Sequence, residues 1–195
     1  MRLQADADAA RWVPVTGSLG LRGRRHRKAA IRMLLGHGSR LMGGAGRGSG
    51  ALAWALSQAA PLLLRRADGR ILVWVWKDDP GLLVVMAQAQ ELTPQLRAAR
   101  AMMPMEYDDT EPFQGAYLGT GERLVMAAPA DAGTPPFATY TWDTGAHLVT
   151  VTAVCGDRER LGTVLPFADE LARTVRIVDD LRVAEGTGVL RLGPA

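Results

Sequence analysis

The sequence predicts an α+β protein: an antiparallel sheet of about five to seven strands packed with helices, preceded by a basic helical N-terminal segment. Three observations carry this prediction. From residue 68 onward, short apolar stretches of strand-like composition alternate with tight turns. Two stretches with helical spacing follow the first pair of strands and the last pair. Before residue 68 the chain is rich in arginine and glycine and lacks this strand pattern.

The clearest local pattern is a β-hairpin that begins after the turn Asp68-Gly69. Residues 70–77 are predicted to be a strand, and because successive side chains of a strand point to opposite faces, Ile71, Val73 and Val75 share one face, and Leu72, Trp74 and Trp76 share the other. Residues 78–81 read Asp-Asp-Pro-Gly, in which proline presets φ and glycine accepts a positive φ. The partner strand is predicted over residues 82–90.

A helix is predicted next, with Thr93 as N-cap, Pro94 at its first position and an end near Met103. Residues 105–115 are predicted to be a loop that carries the acidic residues Glu106, Asp108, Asp109 and Glu111.

A second β block follows this loop. We expect a brief strand over residues 116–118, a turn at Thr120-Gly121 and a strand over residues 123–128. Two further strands, over residues 137–142 and 147–155, flank a turn at residues 143–145.

The last helix is predicted from an apolar stripe at helical spacing, formed by Val164, Ala168, Leu171 and Val175. Residues 176–178 are predicted to add a short extended segment.

The N-terminal part is predicted to form a separate arm, residues 1–50, in front of an α+β domain at residues 51–195. Within the arm, residues 11–15 are extended because Pro14 disfavours helix in the residue before it. Residues 26–42 have an amphipathic helical pattern, and residues 43–50 contain five glycines, which is typical of a flexible linker.

Charge is segregated along the chain. Residues 1–67 carry a net charge of +10 and residues 68–195 a net charge of −7, with no acidic residue between Asp8 and Asp68. Such asymmetry favours an anionic partner for the first part. The candidate partner-binding residues are Arg22, Arg24, Arg25, Arg27, Lys28, Arg32, Arg40 and Arg47. The alternative is that this segment packs on the acidic part of its own chain.

A second candidate surface consists of tryptophans. Trp74 and Trp76 lie on the same face of one predicted strand, and Trp142 is placed to join them. Such residues are either core beneath a helix or an aromatic face that receives a partner.

Catalytic, cofactor and metal sites find little support. The three histidines and the single cysteine, Cys155, do not have zinc-ligand spacing. His147 and Cys155 are eight residues apart on one strand, roughly 26 Å, and so do not form a nucleophilic pair. The glycine-rich stretch resembles phosphate-binding loops but follows a helix pattern instead of a strand. The acidic run lacks a calcium-loop pattern. We therefore predict no cofactor and no catalytic residues.

The cellular location is predicted from the features that the sequence lacks. One cysteine permits no internal disulfide, no apolar run reaches the roughly 18 residues of a membrane span, and the start lacks a signal-peptide pattern. These features favour a cytoplasmic protein. Only two of the 23 basic residues are lysine, which is typical of a GC-rich, bacterial-type genome.

Residues 139–177, TYTWDTGAHLVTVTAVCGDRERLGTVLPFADELARTVRI, resemble the end of Mog1/PsbP/DcrB-like proteins in their order of a strand pair, loop, helix and short extended tail. The hairpin and helix over residues 71–103 are similar to the first half of that family, so the resemblance covers roughly residues 70–178. It implies an accessory, partner-binding or chaperone-like role without catalysis.

The sequence hypothesis is thus a non-catalytic accessory or protein-binding protein that uses a sheet surface and the basic segment 22–47. The alternative is a nucleic-acid-binding protein that uses the same segment. Homo-oligomerisation stays open.

Overall fold

The computed structural model describes residues 1–15, 26, 28–34, 69–102, 110–127 and 135–178. Strands alternate with three helical elements along this part of the chain. In chain order they are β1 (Arg2–Gln4), β2 (Trp12–Pro14), α1 (28–34), β3 (Ile71–Trp76), β4 (Leu83–Glu91), α2 (Pro94–Met102), β5 (Thr110–Gly115), β6 (Gly119–Met126), β7 (Phe137–Asp143), β8 (His147–Cys155), α3 (Leu161–Arg173) and β9 (Arg176–Val178).

Seven strands form one antiparallel sheet in the order β2-β3-β4-β8-β7-β6-β5, with β8 among its central strands. A separate two-stranded ribbon joins β1 to β9. The predicted sheet-dominated α+β architecture is therefore confirmed. The pairing of β4 with β8 joins the two hairpin blocks, because nine consecutive residue pairs run from Leu83↔Cys155 to Glu91↔His147.

The two N-terminal strands belong to the folded body. β2 lies at one edge of the sheet and pairs with β3, with Val13 opposite Val75. β1 pairs with β9, with Leu3 opposite Ile177. Residues 1–15 thus pack against strands that the sequence assigns to the α+β domain, whereas the predicted boundary at residue 50 lies outside the described residues.

The β3–β4 hairpin, α2 and α3 follow the predicted pattern, except that Gly81 in the hairpin turn does not have the predicted positive φ. The Thr93 hydroxyl accepts a hydrogen bond from the Leu96 backbone N–H at 3.2 Å, as an N-cap does. Along α3, the predicted stripe residues Val164, Ala168 and Leu171 are buried against the sheet, and Val175 is buried just beyond the helix end.

The region from residue 110 to residue 121 differs from the prediction. Residues 110–115, predicted as part of a loop, form β5, and residues 116–118, predicted as a strand, form the turn into β6. Gly119 follows that turn with a φ of 75°. Pro112 weakens the strand pattern in the sequence, but a proline is tolerated in β5 because β5 is an edge strand.

The two faces of the sheet are covered by different helices. The α3 face carries Leu72, Trp74 and Trp76 together with Tyr140 and Trp142, and α3 packs on it. The opposite, α1 face carries Val73, Val75 and Val84, on which α1 packs through Ala30. The alternation predicted for β3 is therefore the alternation observed, and each of its two apolar faces has a helical cover.

Several predictions fall outside the described residues. These are the remainder of the helix predicted over residues 26–42, the glycine-rich linker over residues 43–50, and the acidic residues Glu106, Asp108 and Asp109.

Candidate functional site

Helix α1 presents cations outward while its inner side is fixed to the sheet. Ala30 is only 1% exposed and packs in a cluster with Val73 and Val84. Lys28 and Arg32 lie on the opposite side of the helix and are exposed. The amphipathic pattern thus places two of the predicted partner-binding cations on the protein surface.

No described carboxylate forms an ion pair with Lys28 or Arg32. By contrast, Arg11, Arg123 and Arg176 each contact an acidic side chain of the described part of the chain. Within the described residues, the α1 cations are therefore exposed charges without an ion-pair partner. The other six predicted basic site residues, Arg22, Arg24, Arg25, Arg27, Arg40 and Arg47, lie outside the described residues.

Beyond α1, the α1 face becomes polar. Thr139 lies opposite Thr152, and Thr141 lies opposite Thr150, in the register of β7 and β8. All four are half-buried. Threonine suits a strand because its branched Cβ packs on the pleated surface.

A shallow groove of about 410 Å³ follows on strands β5 to β7. Its lining combines hydroxyls with carboxylates and contains no lysine or arginine; the residues are Thr110, Glu111, Pro112, Thr120, Gly121, Glu122, Thr141 and Asp143. Glu122 is exposed, whereas the Asp143 carboxylate accepts a hydrogen bond from the Gly145 N–H at 2.8 Å. The two ends of the α1 face therefore carry opposite charge.

The α3 face holds a buried charged network. Asp169 projects from α3, is 8% exposed and accepts hydrogen bonds from the Tyr140 hydroxyl at 2.7 Å and the Arg123 guanidinium at 2.8 Å. Arg123 also contacts Glu111 at the surface. Burial raises the pKa of Tyr140 well above its ordinary value, and the hydrogen bond to Asp169 adds to this shift. The network thus satisfies a buried carboxylate and fixes α3 on the sheet.

The three tryptophans proposed as a second surface lie on this same face. Trp142 is 0% exposed and Trp74 is 5% exposed. Trp76 is half-buried and packs edge-on against Trp12, with the ring of Phe167 from α3 at 5.1 Å. Their rings pack within the protein, between the sheet and the elements that cover it.

Glycines make room for Trp142. A Cβ at Gly121 would lie 2.7 Å from Trp142 Nε1, and a Cβ at Gly115 would lie 3.1 Å from the same atom. The indole N–H donates a hydrogen bond to the Gly119 carbonyl at 3.2 Å. The glycines that obscured β5 and β6 in the sequence are therefore the positions on which the indole lies.

The one cysteine, Cys155, is not an activated nucleophile. Cys155 is buried, its thiol donates to the Asp157 carbonyl at 3.0 Å, and burial raises the pKa of the thiol. A thiol with a raised pKa is a poor nucleophile at neutral pH. Within the described ranges, no group of three or more His, Cys, Asp or Glu side chains is arranged to hold a metal ion.

Sequence reasoning missed the Asp169 network and the groove. One indication was present, since Asp169 lies four residues after Leu165 and three before Ala172, on the apolar side of α3. A carboxylate in such a position needs a buried partner. The partners Arg123 and Tyr140 are distant in sequence and show no pattern of their own.

None of the helices in the described part of the chain has the length and apolar character needed to cross a membrane. Comparison with protein-family models, with curated proteins and with solved structures found no match to this chain.

Proposed function

We propose that this protein is a non-catalytic accessory protein that binds an anionic protein surface through its basic N-terminal segment and the adjoining sheet face. The observation that carries the proposal is the orientation of α1. Its apolar side is anchored on β3 and β4, and Lys28 and Arg32 point outward without a described carboxylate partner. A fixed helix presents its charges in a defined geometry, which lowers the ordering cost of binding.

A protein partner is favoured over nucleic acid by the absence of a stacking platform. Single-stranded nucleic acids are bound by cationic grooves with exposed aromatic side chains. Among the described residues, the exposed large apolar side chain is Tyr117, at 58%. It lies in the β5–β6 turn, where the Arg176 guanidinium is 5.0 Å from its ring centroid. No described aromatic side chain flanks the outward side of α1.

A non-catalytic role is supported by how the described reactive groups are used. Asp169 is committed to Tyr140 and Arg123 within the core. Cys155 is buried. The groove on the α1 face is shallow and lined by carboxylates and hydroxyls without a cation or a histidine. This role is also what the resemblance to Mog1/PsbP/DcrB-like proteins implies.

The proposal is tested with two fluorescent anions of equal length, a polyglutamate peptide and a single-stranded oligonucleotide, titrated in anisotropy experiments at low and high salt. We expect polyglutamate to bind at low salt and to be released at high salt. The Lys28→Glu/Arg32→Glu variant should bind more than about tenfold more weakly, since both charges are reversed.

The matched control is Arg70→Glu/Lys77→Glu, which reverses one arginine and one lysine at the two ends of β3 and should retain binding. If neither anion binds the native protein at low salt and at a protein concentration at which it is monomeric, the proposal is wrong. If the oligonucleotide binds more tightly, with a steep salt dependence that weakens in the α1 variant, the nucleic-acid alternative replaces it.

A further inference from the structure

We infer that the anionic partner of α1 is a second copy of this chain, whose acidic groove receives α1 in a symmetric dimer. The inference rests on the proposed function, because it uses the same cations. It adds the surface that receives them, namely the β5–β7 end of the α1 face.

The two ends of the α1 face differ in charge. α1 covers β2 to β4 and presents Lys28 and Arg32 outward. The groove at the other end presents the carboxylates of Glu122 and Asp143 and has no lysine or arginine in its lining, while its third carboxylate, Glu111, is paired with Arg123. The two ends of the face are therefore complementary, as the surfaces of specific interfaces are.

The α1 cations and the groove of the same copy lie too far apart to pair. Strand β3, beneath α1, and strand β6, in the groove, are separated by four strand-to-strand steps in the sheet order. At roughly 4.8 Å per step, this is roughly 19 Å, farther than a lysine or arginine side chain reaches. The Lys28 and Arg32 side chains cannot meet the groove of their own copy, so they can pair with such a groove only in another.

A two-fold axis can pair each α1 with the groove of the other copy. The central position of β8 places α1 and the groove on opposite sides of it. A two-fold axis parallel to the strands and above β8 therefore sets each α1 over the partner's groove. This is an isologous interface, in which each contact occurs twice. The half-buried Thr139 and Thr141, beside the groove, would lie beneath the incoming helix and offer it hydroxyls.

The test compares the native protein with two charge variants by sedimentation velocity at low and high salt. The helix variant is Lys28→Glu/Arg32→Glu, and the groove variant is Thr120→Lys/Glu122→Lys, which changes two exposed positions of β6. We expect a native dimer that dissociates at high salt. Each variant alone should be monomeric, with self-association weakened more than about tenfold by like charges.

The decisive measurement is an equimolar mixture of the two variants. One of its two half-interfaces is native and the other has both charges reversed, so the mixture should recover the mass of a dimer. A monomeric native protein at low salt overturns the inference, and so does a variant that stays dimeric or a mixture that stays monomeric.

Folding is controlled by comparing the circular dichroism spectra of both variants with that of the native protein. If either variant is unfolded, the neutral changes Lys28→Gln and Glu122→Gln replace it, and weakened dimerisation is then expected without rescue on mixing. A monomeric native protein whose polyglutamate binding still depends on Lys28 and Arg32 would remove the dimer and leave the proposed function intact.

Discussion

The two faces of the same seven strands use charge in opposite ways. On the α3 face, Asp169 is buried and neutralised by Arg123 within the chain. On the α1 face, Lys28 and Arg32 remain at the surface without a described acidic partner. Internal pairing on the α3 face serves stability, whereas on the α1 face the proposed function assigns the outward cations to binding.

The largest effect is expected from removing an aromatic ring of the α3 face. Trp142→Ala should lower the free energy of unfolding by about 3–5 kcal/mol, because it leaves a cavity in a packed core. Tyr117→Ala, at the exposed β5–β6 turn, is the control and should cost less than about 1 kcal/mol. Urea denaturation followed by circular dichroism measures both; equal losses would contradict the assignment of Trp142 to the core.

A smaller effect is expected from the buried carboxylate. Asp169→Asn should lower the free energy of unfolding by about 2–3 kcal/mol, below the full cost of breaking a buried ion pair because Arg123 is partly exposed. The neighbouring Glu170→Gln breaks a surface contact with Arg11 and should change it by less than about 0.5 kcal/mol. Thermal unfolding of the two variants side by side tests this difference, and a Glu170 effect as large as that of Asp169 would refute it.

Two glycine substitutions should act in opposite directions. Gly121→Ala places a methyl group against Trp142 and the Thr141 carbonyl, and should destabilise the protein by about 1–3 kcal/mol. Gly162→Ala meets no atom within 4 Å on the exposed side of α3, and should stabilise it by up to about 1 kcal/mol. Chemical denaturation of both variants gives the sign of each change in the free energy of unfolding. A Gly121→Ala variant as stable as the native protein would show that the indole does not lie on that glycine.

Tyr140 should make the protein sensitive to alkali. The pKa of Tyr140 in the folded protein is raised above its unfolded value of 10.0. Its contribution to the free energy of unfolding is therefore complete below pH 10.0 and is lost as the pH rises towards the folded-state pKa. We expect stability to fall above about pH 10, and to fall less steeply in Tyr140→Phe. Tyrosinate absorbance and circular dichroism should show that Tyr140 ionises together with unfolding. Ionisation of Tyr140 in a still-folded protein would contradict its burial.

The smallest stability effect is expected on the α1 face. Lys28→Glu/Arg32→Glu removes no described contact within the chain, so at high salt, where the native dimer is dissociated, its melting temperature should equal that of the native protein. Differential scanning fluorimetry checks this; a large drop in melting temperature would mean that these cations serve the fold.

Much of the fold could be predicted because its patterns are local. The period of two in residues 71–76 and the helical spacing of Val164, Ala168 and Leu171 follow directly from strand and helix geometry. β5 could not be predicted, because its glycine and proline resemble a loop when read alone. Gly115 makes room for Trp142, more than twenty residues away, and Pro112 is tolerated because β5 is an edge strand.

The sequence by itself determined the strand and helix periods, the hairpin turns and the segregation of charge, since each depends on neighbouring residues. The tertiary structure decided that β4 pairs with β8, that residues 12–14 complete the sheet, and that Asp169 meets Tyr140 and Arg123. It also decided that the cations of α1 and the acidic groove occupy opposite ends of one face. These arrangements join residues far apart in the chain, and they are selected by the packing of the whole core, for which no local spacing exists.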